Sequence, residues 1–300
     1  MRRRLLIIHN AHAGTRSRYF LRAVCRALDA AGAEVRVEHA DTLAADAAIA
    51  RSAVAEGRFD AIVAAGGDST IRGVASGLLG SDVPLGIIPI GTGNVLAREI
   101  GVRCRAKVLA QTLLHGPSVP VRYGLADGTP FLAMAGVGFD ADVLLRLSMA
   151  WKRTIGRMAY AWPILRAMAH APRPFEVVVD GRTLPATWLI VTRAARYGGS
   201  FVIAKDQSLA GDGFHAVIAN ATTRRALAGL LIAIARGRLE GRADVTVLPC
   251  SQLGIRASKT IAAQIDGERL SSVPREIAVG PERLTLIVPH GSPLAAVRGV

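Results

Sequence analysis

Three glycine-rich turns and one pair of carboxylates carry the chemistry legible in this chain. Gly66-Gly67-Asp68-Ser69-Thr70 follows an apolar run, residues 61–65, and precedes a helix-compatible segment, residues 71–79. Glycines let backbone amides approach a ligand closely. A following helix N-terminus adds unpaired N–H groups and partial positive charge. The pattern is that of a buried strand ending in a phosphate-binding turn. Asp68 is the odd member, because a carboxylate repels phosphate unless a cation sits between them or the side chain orients a neighbour. The segment suggests a nucleotide with a metal ion; an ordinary strand–turn–helix has the same outline. A second turn, Pro89-Ile90-Gly91-Thr92-Gly93-Asn94, and a third, Asn10-Ala11-His12-Ala13-Gly14, also end apolar runs. Ligands of open α/β sheets bind beyond the carboxyl ends of the strands, so the loops converge on one site. Asp266-Gly267-Glu268 sets two carboxylates around a glycine, where one can activate a hydroxyl and the other organise water or metal. In isolation it also fits a solvated hairpin turn. The seven histidines lack ligand spacing; His9 and His12 flank the third loop, where they can meet phosphate, and a structural role is the expectation.

These groups need elements to hold them. Residues 5–8, 34–38, 61–65 and 85–89 read as strands. Residues 18–31 and 43–56 read as helices closed by Gly32 and Gly57. Strands this apolar are buried on both faces, which predicts a parallel sheet with helices on each side. The pattern changes after Pro117. Residues 119–136 read as strands joined by Asp127-Gly128, and residues 138–169 as a long helical segment carrying Lys152, Arg153, Arg157 and Arg166. Beyond Pro174, short alternating runs are separated by Asp180-Gly181, Gly198-Gly199, Gly211-Asp212-Gly213 and Asp266-Gly267, with one helix at residues 223–236. This predicts an antiparallel β-sandwich. The domains expected are an α/β domain (1–120), a β-sandwich domain with a helical insertion (121–282), and a C-terminal strand and tail (283–300) that can return to the first domain.

Composition narrows the function classes. Thirty-seven Lys and Arg face 23 Asp and Glu, a net charge of +14. Such a field attracts nucleic acid, anionic headgroups or phosphorylated ligands. The bases form no tract and aromatics for stacking are few, so no nucleic-acid partner is expected. Cys25, Cys104 and Cys250 are odd in number and far apart, which predicts neither disulfides nor a zinc site and points to the cytoplasm. The apolar run after Arg2-Arg3-Arg4 is too short for a signal peptide, and none elsewhere is long enough to span a bilayer. Basic and aromatic residues at 151–166 suit a bilayer interface, or else a core-packed helix with a solvated basic face.

The order and spacing of the motifs closely resemble the diacylglycerol kinase catalytic-domain family, in its soluble bacterial lipid kinase branch, which shares its nucleotide-binding fold with NAD kinases and 6-phosphofructokinases. Asn10 to Gly14 is similar to the family's Asn-Pro-x-Ser/Ala-Gly. Gly66 to Thr70 resembles Gly-Gly-Asp-Gly-Thr, and Gly91 to Asn94 with Ala97-Arg98 resembles Gly-Thr-Gly/Ala-Asn followed by Ala-Arg. Gly136-Val137-Gly138-Phe139-Asp140-Ala141 resembles the motif opening the second domain's insertion, and Gln264 to Glu268 the family's Asp-Gly-Glu. The resemblance implies an ATP- and Mg²⁺-dependent lipid kinase, cytoplasmic and peripheral at an anionic membrane, with a diacylglycerol-like substrate. It implies nucleotide contacts from Asn10, Gly14, Thr42, Gly66, Gly67, Asp68, Ser69, Thr70, Ile71, Arg72, Thr92 and Asn94. Thr42 rests on a loose match. Catalysis falls to Asp68, Asp266 and Glu268, with Glu268 favoured as base and Asp266 assisting. Leu209-Ala210-Gly211-Asp212-Gly213-Phe214 resembles a structural Mg²⁺ site in which Leu209 and Phe214 offer carbonyls and Asp212 its side chain; a plain Asp-Gly hairpin is the other reading.

The chain departs from that pattern at Ser69, which replaces a glycine, and at Arg72-Gly73, which stands where many members have Asn-Glu. Ala11 replaces the usual proline. Either Ser69 takes left-handed backbone at some cost or the loop follows a slightly different path; Arg72 is a candidate phosphate ligand or a mark of altered or lost catalysis. Two other readings stay open: a non-catalytic nucleotide- or lipid-binding regulator, and a soluble-metabolite kinase of the NAD type. The oligomeric state, a homodimer included, is open as well.

Overall fold

The computed structural model describes residues 1–10, 15–145, 161–169, 172–197 and 201–297. The chain forms two compact units, one from Met1–Arg122 with Pro281–Val300, the other from Tyr123–Gly280.

The first unit alternates strand and helix: β1 (Arg4–Asn10), α1 (Thr15–Asp29), β2 (Glu34–Ala40), α2 (Leu43–Glu56), β3 (Ala61–Gly66), α3 (Asp68–Leu78) and β4 (Leu85–Pro89). It continues with α4 (Val95–Glu99), α5 (Ala106–His115) and β5 (Ser118–Val121). The second unit then follows, and the chain returns with β20 (Leu284–Ile287) and α9 (Pro293–Val297). The sheet order is β2-β1-β3-β4-β20-β5. β1 to β4 and β20 run parallel, and β5 is antiparallel to β20. β3 and β4 are buried at every position, as strands covered by helices on both faces must be. α2 spans its expected residues, while α1 starts three residues before its expected start and ends two before its expected end. Thr42 Oγ1 accepts from Ala45 N at 3.2 Å to cap α2, and Gly57 closes it at φ 64°, a left-handed turn that glycine adopts without strain. α3 begins at Asp68, three residues before the expected start at 71. α2 packs on α3 through small residues, because a Cβ at Gly77 would press into Ala47 and Ala50.

The second unit opens with β6 (Gly124–Ala126), β7 (Thr129–Phe131), β8 (Met134–Gly138), α6 (Phe139–Leu145) and α7 (Ala161–Met168). Next come β9 (Phe175–Val179), β10 (Arg182–Ala186), β11 (Trp188–Thr192), β12 (Arg196–Tyr197), β13 (Phe201–Val202), β14 (Phe214–Ala219) and α8 (Arg224–Ala235). It ends with β15 (Val245–Cys250), β16 (Gln252–Arg256), β17 (Ala263–Ile265), β18 (Glu268–Arg269) and β19 (Glu276–Val279). Two six-stranded sheets, β10-β9-β16-β19-β6-β7 and β15-β14-β11-β8-β17-β18, enclose one apolar core. Val177, Ile255 and Ile277 from one sheet meet Val137, Leu189, Phe214 and Ile265 from the other. The predicted Asp-Gly turns have left-handed backbone at both residues: Asp127-Gly128 (45° and 80°), Asp180-Gly181 (49° and 74°) and Asp266-Gly267 (47° and 83°). These φ values match the twist of the flanking strands. The predicted helix at 223–236 is α8, capped by Thr223 Oγ1 on Ala226 N at 3.1 Å.

The long helical segment expected at 138–169 is described only as α6 and α7. Lys152, Arg153 and Arg157 lie outside the described residues, as do Gly14, Gly198 and Gly199. Among the described residues no helix is long and apolar enough to cross a membrane. The three cysteines are free. Burial, with Asp180 nearby, pushes the Cys250 thiol up to about 12, so it is inert at neutral pH.

Candidate functional site

In the first unit the turns after β3 and β4 come together, and Asn10 at the end of β1 and Ser17 in α1 reach them. Ile90 N and Gly91 N both donate to Gly66 O, at 3.1 and 3.2 Å. A Cβ at Gly91 would run into Gly67 Cα, and one at Gly67 would stand 3.5 Å from Gly91 Cα. The two glycine loops therefore touch backbone to backbone, and only glycine permits it at position 91. Asp68 spans them: its Oδ1 accepts from Leu96 N at 3.2 Å, and its Oδ2 lies 3.1 Å from where a Cβ on Gly93 would be. Asn94 sits at φ 48° and its Nδ2 donates to Gly91 O at 2.8 Å. Its Oδ1 is buried with no hydrogen-bond partner among the described residues. Asn10 Nδ2 donates to Thr70 Oγ1 at 3.4 Å, and Ser17 Oγ to Ile90 O at 3.1 Å. Asn10 and Ser17 are thus tied to the two glycine loops.

The local sequence explains this shape. Gly67 is the N-cap of α3 and offers no side chain to its first N–H groups, which leaves donors and the dipole's positive end facing the loops. Thr70 is buried over Gly66, where any Cβ would strike it. Its hydroxyl shapes the loop. Ile71 is fully buried and contributes only backbone there. Thr42 caps α2, which accounts for its presence at that position.

Two of the departures now have physical accounts. Ser69 is helical and has no positive φ, so it carries no left-handed strain; starting α3 at Asp68 removed the need for glycine. Gly73 faces Asp46 across the α2–α3 contact: its missing Cβ would lie 2.8 Å from Asp46 Oδ2. The buried carboxylate of Asp46 fills the space into which a glutamate side chain at that position would start. Arg72 is 7 % exposed and buried within α3. Thr92 is half-buried beside Asn94.

In the second unit the geometry separates the paired carboxylates. Asp266 is buried, and its Oδ2 accepts from Leu132 N at 2.7 Å. Its Oδ1 accepts from Ala133 N at 2.9 Å and Met134 N at 3.0 Å. Three backbone amides hold this carboxylate in place and fix the turn onto the segment before β8. Glu268, two residues on, is half-buried at the start of β18.

A network that motif spacing does not reveal supports the same turn. Gln264 Oε1 accepts from Gly267 N at 2.8 Å, and Gln264 Nε2 donates to Asp140 Oδ2 at 2.5 Å. Tyr197 OH donates to Asp140 Oδ1. Burial pushes the Asp140 carboxyl up, while the hydrogen bonds from Tyr197 and Gln264 hold it down. Gly136 is required because a Cβ there would strike Asp140 Oδ2. The Gly136–Ala141 motif is thus the mould for this network. Its Asp was visible as a motif member, but its partners lie 57 and 124 residues away.

The turn expected to hold a structural Mg²⁺, with the plain Asp-Gly hairpin as the other reading, receives a side-chain cation. Arg193, fully buried on the chain after β11, sends its guanidinium into the 209–213 turn. Nη2 donates to Leu209 O at 3.2 Å and Gly211 O at 2.8 Å, and Nη1 to Gly213 O at 2.5 Å. Leu209 O is therefore engaged by a side-chain cation, Phe214 is a buried strand residue paired with Cys250, and Asp212 is exposed. The turn has its own positive charge, which spacing alone could not reveal. Among the described residues no group of three His, Cys, Asp or Glu could hold a metal.

Residues 4–126 match the model of the diacylglycerol kinase catalytic domain. Residues 133–288 match that of the YegS C-terminal NAD kinase beta sandwich-like domain. The chain is 29 % identical over 298 residues to a diacylglycerol kinase of Bacillus subtilis (strain 168), covering 96 % of this chain and 97 % of that protein. It is 30 % identical over 300 residues to a probable lipid kinase YegS-like of Pseudomonas aeruginosa (strain UCBPP-PA14), covering 97 % and 95 %. The crystal structure of a diacylglycerol kinase from Bacillus anthracis str. Sterne superposes with a TM-score of 0.68 at 18 % identity, over 96 % of this chain and 97 % of that one. Another solved chain from the same strain gives 0.78 at 20 %, over 96 % and 95 %. At these identities the structures establish a shared fold.

Proposed function

The chain belongs to the diacylglycerol kinase catalytic-domain family, in its YegS-like lipid kinase branch, and from that premise we propose that it transfers the γ-phosphate of ATP to a hydroxyl of a diacylglycerol-like membrane lipid. The observation that carries this reading is the contact of the Gly67 and Gly91 loops beside the uncapped N-terminus of α3. Phosphoryl transfer asks a protein mainly for positioning and charge stabilisation, and such a loop supplies both through backbone N–H groups. The buried acceptor Asn94 Oδ1 suits a hydroxyl or amine donor of the nucleotide. Asp68 fits as the carboxylate of a Mg²⁺ site that phosphate oxygens and water complete, as this ion prefers. When bound, Mg²⁺ neutralises phosphate charge.

Glu268 is the group we assign to accept the proton of the lipid hydroxyl. Asp266 supports it by fixing the turn, since its oxygens are committed to Leu132, Ala133 and Met134 N–H. Asp140 and Gln264 hold Gly267, and with it the direction in which Glu268 leaves the turn. A regulator without catalysis gains no support from the departures at Ser69 and Gly73, because the first is unstrained and the second is matched by Asp46. The test is transfer from Mg-ATP to a panel of diacylglycerol, sphingoid base, ceramide and phosphatidylglycerol in mixed micelles. Diacylglycerol is expected to be phosphorylated; no transfer to any lipid rejects the kinase reading.

A further inference from the structure

Among the described residues of the second unit, four large apolar side chains are exposed: Trp162 (54 %), Leu165 (61 %), Phe201 (41 %) and Ile232 (51 %). They fall on α7, β13 and α8, and α8 packs on both of the others. Both helices are apolar on the buried side and carry large apolar residues on the outer side too, where an ordinary surface helix turns polar residues to water. On α7 the exposed side is Trp162, Leu165 and Arg166, at i, i+3 and i+4, while Pro163 and Ala167 are buried. On α8 the solvent-facing arc runs through Ala228, Leu231, Ile232 and Ala235 between arginines at the two ends, Arg224, Arg225 and Arg236. No acid occurs anywhere in α8.

We propose that α7, α8 and β13 form the face by which this protein settles on an anionic lipid surface, an inference that rests on the lipid-substrate reading above. Charge selects this occupant. Arg166, Arg224, Arg225, Arg236 and Arg238 are all exposed around the apolar strip. Of the neighbouring acids, Glu240 is 3.6 Å from Lys205 and Asp244 is 2.7 Å from Arg242. A second copy of the face would press arginine against arginine. An anionic bilayer interface accepts both components, because apolar and indole groups enter the headgroup region while guanidinium groups meet phosphates. Arg166 already stacks over the Trp162 ring, 5.0 Å from its centroid, so one amphipathic pair is arranged before contact.

The experiment compares wild type with Leu165→Glu/Ile232→Glu and, separately, Arg225→Glu/Arg236→Glu. None of these residues belongs to the glycine loops or the Asp266 turn. Co-sedimentation with phosphatidylcholine vesicles containing phosphatidylglycerol is read against pure phosphatidylcholine. Wild type is expected to bind the anionic vesicles, more weakly as salt rises. Each double variant should lose at least about tenfold in partitioning. Turnover of a short-chain diacylglycerol held below its micellar concentration separates the two ideas. Variants that keep it while losing vesicle binding support the docking face. If no protein phosphorylates the soluble lipid but the vesicle result stands, the kinase reading fails and the face survives. Wild type remaining in the supernatant, or folded variants that bind vesicles unchanged, overturns the proposal. So does a wild-type dimer in sedimentation velocity that the apolar double variant dissolves, since a second copy then covers the face.

Discussion

The glycine loops of the first unit and the Asp266–Glu268 turn of the second are built on opposite principles. The loops are backbone constructions, in which Gly66 O, Gly67 and Gly91 meet because no side chain stands between them. The turn is a side-chain construction, in which Asp266 and Gln264 reach strands and loops more than a hundred residues away to hold it in place. A backbone site is written in contiguous residues and survives wherever the local motif survives. A side-chain site depends on partners that the motif does not contain.

If the turn is a side-chain construction, its two carboxylates must respond differently to removal. Glu268→Gln should reduce phosphoryl transfer by about 10²- to 10⁴-fold, the usual worth of a general base, with an unchanged melting temperature. Asp266→Ala should instead unfold. It strands three buried amides, at about 1–3 kcal/mol each, and a urea titration reads the loss. A variant Asp266→Ala that is stable and merely inactive would show that Asp266 is no scaffold.

Arg193→Met tests whether the 209–213 turn carries an internal cation. Three carbonyls lose their donor, so a destabilisation of about 2–3 kcal/mol is expected by chemical denaturation. EDTA and added Mg²⁺ should leave the wild-type melting temperature unmoved in the absence of nucleotide. A magnesium-dependent rise in that temperature would return the turn to metal binding.

Gly91→Ala probes the backbone contact. Its Cβ has no room beside Gly67, and relieving the overlap should cost about 1–3 kcal/mol and weaken nucleotide binding in calorimetry. Wild-type affinity in the alanine variant removes the loop contact from the binding site. The smallest effect concerns pH. Burial raises the Asp140 carboxyl, so the folded state favours its protonated form. That contribution is complete below the ordinary carboxyl range and is lost as pH rises through the raised value. Asp140→Asn should flatten this decline in thermal melts taken from acidic to neutral pH. A variant with the same slope as wild type assigns the decline to another group.

Much of the first unit's fold was legible in order. β3, β4 and α2 appear at their expected residues because buried strands are apolar throughout and because Thr42 and Gly57 punctuate α2 locally. The loops at 66–70 and 91–94 were legible for the same reason. Of the two outcomes open for Ser69 the structure has the different path, because α3 starts at Asp68 and Ser69 is already helical. The Mg²⁺ expectation at the 209–214 turn was drawn without one residue that the fold brings there. Arg193 stands 16 residues before Leu209, outside the motif that suggested the ion.

What could be read from the chain directly is what short-range physics writes: apolar periods, caps, Asp-Gly turns and glycines at the ends of buried strands. The tertiary fold decided which of the two carboxylates is tied to three backbone amides. It also decided why Gly73 faces Asp46, and which cation the 209–213 turn holds. Hydrogen bonding and burial act on whatever the fold brings within about 3 Å, and that neighbourhood is assembled from residues the chain keeps far apart.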